Sequence, residues 1–285
     1  MGNGTTAWVL RGGAAFGAAQ VGMARALLEA GYFPDMLYGT SAGALNAAAL
    51  AADPSLGGVT ALEGLWRAVR RRDVFPVRPW QLAAGLVGAA DHLVSPQALR
   101  KWLSRTTPVR RLQDGAVPLT VVTTDIQSGE EVLLSSGPAV PALLASAAMP
   151  GIFPPVRLGG RLLMDGSIVS DTPVGPAVRE GADIVFVLPC VPEGRSAPPR
   201  TALDAVLRST AVTLARHHDR TVANWAPRCR LHVLPAPAVP GSSAFSFAKT
   251  AELVEAAHRL TTEWLGKGPM VVAPPPPVPQ SGARH

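Results

Sequence analysis

A serine set between two glycines, Gly39-Thr40-Ser41-Ala42-Gly43, sits where a short apolar run gives way to an alanine-rich one. On a sharp strand-to-helix turn such a serine lifts its hydroxyl above a sheet, and the flanking Gly39 and Gly43 let strand and helix approach closely. The first N–H groups of the helix aim positive charge at the same spot, which suits attack on an acyl carbon. The same residues also make an ordinary capping turn, since Thr and Ser are common helix caps. A second run, Gly12-Gly13-Ala14-Ala15-Phe16-Gly17, carries small side chains up to Phe16. Its backbone can bring N–H groups of Gly12, Gly13 and Ala14 within reach of an oxyanion, with Gly17 opening the next helix. A nucleophilic serine needs a base. Asp165-Gly166 follows an apolar run and offers a carboxylate at a strand end, although many Asp-Gly pairs are plain turns. Of the histidines, His217, His218, His232 and His258 are the alternatives to test, while His92 and the terminal His285 are poorly placed.

The elements that must hold these residues alternate between strand and helix. Ala7–Leu10 reads as a strand and Ala18–Ala30 as a helix, with Val21, Ala24, Leu27 and Leu28 at helical spacing and Gly31 beyond its end. Met36–Tyr38 and Ala44–Ala52 repeat the pattern. Pro118–Asp125, Glu130–Leu134, Arg161–Met164 and Ile184–Leu188 read as further strands, the last apolar on both faces. Strand-helix alternation implies mostly parallel strands joined by crossover helices, hence an α/β chain. Residues 53–117 form an interrupted helical insert: Leu62–Arg72 with Leu62, Leu65, Trp66 and Val69 on one face, then Trp80–Val94, then a helix opening at Ser95-Pro96. Trp80–Val94 is apolar and glycine-rich enough for a mobile lid, although an ordinary buried helix pair is the favoured reading. The expected division is one domain over 1–272 and a proline-rich tail over 273–285.

Composition removes several classes of function. The chain has 285 residues, 47% of them hydrophobic and 16% charged, which is not the make-up of a disordered protein. Lys+Arg 26 against Asp+Glu 20 gives 26 − 20 = +6, too diffuse to argue for nucleic acid and compatible with a transient visit to an anionic membrane. Cys190 and Cys229 make neither a disulfide framework nor a metal-ligand spacing, so reduced thiols and no metal or other cofactor are expected. No secretory start is expected at Ala7–Leu10. Met1–Thr6 matches a myristoylation pattern without a second membrane signal. A cytoplasmic location, peripheral at most to a membrane, follows from this reading; it leaves the oligomeric state open. A dinucleotide-binding module is the rival use of Gly12–Gly17, with Asp35 as its ribose acid, but it needs glycine where Ala14 stands and leaves Ser41 idle.

In combination these residues resemble the patatin-like phospholipases, a family of lipid acyl hydrolases. Val9–Ala30, with Gly12–Gly17 and Gln20-Val21-Gly22, is similar to the family's oxyanion loop and first helix. Gly39–Gly43 is similar to its nucleophile elbow. Ala145–Pro155, leading into Asp165-Gly166-Ser167, is similar to the segment that delivers its aspartate. The resemblance runs from about residue 7 to about residue 190. It implies a three-layer α/β/α fold, a Ser41–Asp165 dyad in place of a triad, an oxyanion hole at Gly12–Ala14, and a lipid or other acyl ester as substrate. Two departures stand out: the family's third loop glycine is Ala14, and its basic loop residue is Phe16. The first requires Ala14 to adopt a backbone that glycine takes freely. The second removes a cation and turns the expectation toward neutral or short esters.

Overall fold

The structure, a computed structural model, describes residues 4–76, 80, 89, 91–191, 202–269, 271 and 272. The expected lid Trp80–Val94 falls largely on 81–88 and 90, the proline-rich tail on 273–285, and the myristoylation pattern on 1–3; these lie outside the described residues.

Thr6–Leu10 (β1) leads through the Gly12–Gly17 loop into Ala18–Glu29 (α1), and Met36–Thr40 (β2) turns at Ser41 into Ala42–Ala52 (α2). Helices Leu56–Ala68 (α3), Arg71–Val74 (α4) and Gln97–Thr106 (α5) precede Leu119–Asp125 (β3). Helix α3 begins six residues before the expected Leu62, because the Ser55 hydroxyl caps it by accepting the Gly58 N–H at 3.2 Å. Then come Glu131–Leu134 (β4), Ala139–Ser146 (α6), Val156–Leu158 (β5) and Arg161–Asp165 (β6). Ser167–Ser170 (α7) and Val174–Arg179 (α8) lead to Ile184–Leu188 (β7), and Ala202–Trp225 (α9), Arg230–Val233 (β8) and Thr250–Gly266 (α10) complete the order. Strands β5 and β8 have no counterpart in the sequence reading. The first is three residues long, joined to β6 by a Gly159-Gly160 turn with φ of 57° and 78°, and the second reads as a mere apolar run around His232.

The sheet runs β5-β6-β3-β2-β1-β7-β8, with β4 on β3. Strands β3, β2, β1, β7 and β8 are parallel. Alternation along them divides the core. Trp8, Leu10, Leu37, Phe186 and Leu188 face one side, in the cluster that includes α1, α2, α3, α5, α6 and α10. Ala7, Val9, Tyr38, Val185 and Val187 face the other, in the cluster that takes in α8 and the end of α9. This is a three-layer α/β/α architecture.

One departure from all-parallel pairing positions the site. β4 pairs with Val121–Thr124 of β3 on one edge, while the opposite edge is shared by two strands. β2 runs parallel and ends with Thr40 opposite Val122; β6 runs antiparallel and ends with Asp165 opposite Thr123. Their C-terminal ends therefore meet head-on, and the chain leaves β2 at Ser41 beside Asp165. The expected placement of Asp165 at a strand end holds, but its strand enters against the parallel set.

Helix α1 packs on α10 so closely that a Cβ on Gly22 would stand 2.0 Å from the Val254 carbonyl oxygen. Gly64 of α3 has open space at the same position. In urea denaturation Gly22→Ala should cost about 2–4 kcal/mol by forcing the helices apart, whereas Gly64→Ala should add about 0.5–1 kcal/mol.

Candidate functional site

The turn from β2 to α2 holds Ser41 at φ 56°, ψ −124°, a left-handed, strained conformation for a residue with a side chain. Three features keep it there. A Cβ on Gly43 would fall 2.2 Å from the Leu10 carbonyl oxygen, and one on Gly39 would fall 2.5 Å from Ala44 Cα, so only glycine permits so tight a strand-helix corner. The Ser41 N–H donates to Ser146 Oγ at 2.9 Å, and Ser146 Oγ donates in turn to the Val122 carbonyl at 2.7 Å. Strand β3 thus pins the strained turn through a buried hydroxyl.

The Ser41 hydroxyl donates to Asp165 Oδ2 at 2.7 Å. Asp165 Oδ1 accepts the Ser167 N–H at 2.9 Å, and a Gly166 Cβ would fall 2.5 Å from the Val122 carbonyl oxygen, which explains the glycine between them. Asp165 is 3% exposed. Burial pushes its carboxyl up to about 6, against the downward pull of the Ser167 N–H and the Ser41 hydroxyl, while the charge of Asp171 pushes the same way as burial. A carboxylate in this range is a better proton acceptor than a solvated one and is still ionised at neutral pH.

The glycine loop lies against the same turn: a Cβ on Gly12 would stand 3.3 Å from Ser41 Cβ. Ala14 adopts φ 49°, the left-handed backbone that its replacement of glycine demanded. The Gly12 N–H donates to Asp171 Oδ1 at 3.1 Å, whereas the N–H groups of Gly13 and Ala14 have no hydrogen-bond partner among the described residues. Gln20 fixes the loop from below, donating to the carbonyls of Arg11 and Leu188 at 2.9 and 2.8 Å. Gln20 and the Gly17 carbonyl both accept from Asn46, which itself accepts Trp66 Nε1–H at 2.7 Å. This buried polar network ties the loop to α1, α2 and α3 and satisfies its members.

A cavity enclosing about 800 Å³, part of it open to solvent, begins at Ser41 and Ala14. Leu45, Leu62, Trp66, Phe75, Leu103 and Phe153 supply its walls, so it is apolar almost throughout. It is suited to an alkyl chain.

Among the described residues no histidine is hydrogen-bonded to Ser41 or Asp165, His217 included, and four have other partners. His218 Nδ1 lies 3.0 Å from Thr172 Oγ1, His232 stacks on Phe186, His258 pairs with Glu29, and His92 with Asp91. Asp35 accepts the Thr6 N–H at 2.7 Å, at the start of β1 and thus at the opposite end of the strand from Gly12. A dinucleotide site needs loop and acid at the same sheet edge, so that use of the loop has no geometric support. Ser146, Arg11 and Asp171 went unnoticed in the sequence reading. Ser146 lies inside the quoted Ala145–Pro155 segment, but Arg11 and Asp171 are 160 residues apart and carry no local signal.

Among the described residues no helix is long and apolar enough to cross a membrane. A family model for patatin-like phospholipases matches residues 8–178, more than half of the chain and a span that includes Gly12, Ser41, Asp165 and Asp171. An uncharacterized NTE family protein of Mycobacterium tuberculosis is 31% identical over 216 residues, 74% of this chain and 54% of its own length. The lysophospholipase nte1 of Aspergillus terreus is 29% identical over 184 residues, 63% of this chain and 11% of its own. The chain thus spans about half or less of these curated relatives. Human GIVD cytosolic phospholipase A2, solved with methyl gamma-linolenyl fluorophosphonate, covers 93% of this chain and 57% of its own at 13% identity and a TM-score of 0.47. On the family match, this chain belongs to the patatin-like phospholipase family.

Proposed function

We propose that this chain is a serine hydrolase of lipid acyl esters, of the phospholipase A, lysophospholipase or carboxylesterase kind, with Ser41 as nucleophile and Asp165 as base. The observation that carries the reading is the 2.7 Å hydrogen bond from Ser41 to a buried, uncompensated carboxylate beside an apolar cavity. Asp165 takes the hydroxyl proton as Ser41 Oγ attacks the acyl carbonyl, and the Gly13 and Ala14 N–H groups receive the oxyanion. The proton then passes from Asp165 to the leaving alcohol, and water, deprotonated by Asp165, releases the acid. Gly12 shapes the loop but spends its own N–H on Asp171. Esters suit this base better than amides, since an alkoxide leaves more readily than an amine anion. The acyl chain occupies the cavity, and contact with a lipid surface is peripheral and transient.

The test is hydrolysis of p-nitrophenyl butyrate, p-nitrophenyl palmitate and lysophosphatidylcholine. The unmodified chain should turn over the esters, and Ser41→Ala and Asp165→Asn should each lower kcat by about 10³-fold or more. Near-full turnover in either variant would remove that residue from the mechanism.

Burial of Asp165 also has a stability consequence. Its folded-state pKa of about 6 exceeds the ordinary carboxylate value, so protonation favours the folded chain. The contribution is complete below about pH 4 and is lost as pH rises through 6. Asp165→Asn, which never ionises, should therefore gain on the unmodified chain by about 2–3 kcal/mol between about pH 4 and about pH 8 in urea melts. A pH-independent difference would contradict the burial argument.

A further inference from the structure

Behind the glycine loop lies an ion pair that the mechanism above does not use. Arg11 Nη2 stands 2.7 Å from Asp171 Oδ2, and Arg11 Nε donates to the same oxygen at 2.8 Å. The two side chains are only 12% and 4% exposed. The other oxygen, Oδ1, accepts the Gly12 N–H at 3.1 Å. A Cβ on Gly12 would meet Ser167 Oγ at 2.7 Å, Asp171 Oδ1 at 3.1 Å and Ser41 Cβ at 3.3 Å. The first residue of the loop is thus wedged between Asp171 and the serine turn. Taking a charged pair out of water is costly, and removing one partner strands the other. A neutral acceptor would satisfy one backbone N–H; a carboxylate clamped by a guanidinium satisfies it in one fixed orientation.

We propose that Asp171, held by Arg11, is a positioning residue: by fixing the Gly12 N–H it sets the turn that leaves the Gly13 and Ala14 N–H groups free for the oxyanion formed at Ser41. The proposal rests on the hydrolase reading given above. Asp171 acts through the loop and touches no reacting atom. The other titratable groups around it are Asp165 at the end of β6, Cys190 after β7, and His218 on α9. Burial, and then the charge of Arg11, push His218 down to about 3, so it is neutral over the working range. Burial pushes the Cys190 thiol up, and it stays protonated. The negative charges at this site are therefore those of Asp165 and Asp171, and the charge of Asp171 opposes ionisation of Asp165.

Two variants test this on p-nitrophenyl butyrate across a pH series, with urea melts confirming that each folds. Asp171→Asn keeps an acceptor for Gly12 and removes the charge. It should retain kcat within about tenfold and move the acidic midpoint of the kcat profile below that of the unmodified chain. The double variant Arg11→Met with Asp171→Leu replaces the pair by apolar groups and removes the acceptor. It should fold, keep KM within about twofold and lose kcat by about 10²-fold, the scale of one misplaced oxyanion donor. An unchanged kcat in the double variant, or a kcat in Asp171→Asn as low as that of the double variant, would overturn the positioning role while leaving the hydrolase reading intact. No turnover by the unmodified chain would overturn that reading, and the positioning role with it.

Discussion

A carboxylate buried against a hydroxyl rather than a cation is the constraint on which the rest of this site depends. The chain buries two aspartates six residues apart and treats them differently. Asp171 receives a guanidinium, so its charge is balanced. Asp165 receives only the Ser41 hydroxyl and the Ser167 N–H, so its charge is held at a cost and its affinity for a proton rises. Two neighbouring carboxyls given different surroundings let one fold hold a charge-balanced anion beside the carboxyl that the proposed mechanism uses as its base. Arg11 on the other aspartate would make Asp165 the inert member of the pair.

That arrangement is a product of sheet topology. Parallel strands alone would carry Ser41 and Asp165 to neighbouring points along one edge, side by side. Because β6 runs antiparallel on the stretch of β3 that β2 leaves free, the two chain ends confront each other. The confrontation needs a very tight exit from β2, hence the strained Ser41 and its two glycines. It also needs that strain held in place, which the Ser146 bridge to Val122 supplies. Local strain of this kind persists only when the surroundings over-determine it.

Much of this was legible in the sequence because it rests on local rules. Gly39, Gly43 and the alanine-rich run after Ser41 state a close strand-helix corner, and the small residues from Gly12 to Ala15 state a tight loop, in which only the N–H groups of Gly13 and Ala14 lack a partner among the described residues. Parallel strands β1, β2, β3 and β7 followed from apolar runs alternating with helical spacing. What escaped depends on partners remote along the chain. Direction of β6 is set by the short β5 hairpin and by pairing with β3, neither of which leaves a mark on Arg161–Met164 itself. The Arg11–Asp171 pair and the Ser146 bridge are long-range contacts between residue types found on any surface. Conversely, Phe16 at a position where the family carries a basic residue was legible at once.

The central claim is that Asp165 takes the Ser41 proton, and the most direct measurement is the pH dependence of covalent modification by a fluorophosphonate. The account predicts that the second-order labelling rate of the unmodified chain rises as pH passes through about 6 and levels off above it, in step with ionisation of Asp165. The Asp165→Asn chain should label slowly and without that inflection. A rate that is flat from pH 5 to about pH 8, or an inflection that survives Asp165→Asn, would mean that another group accepts the proton.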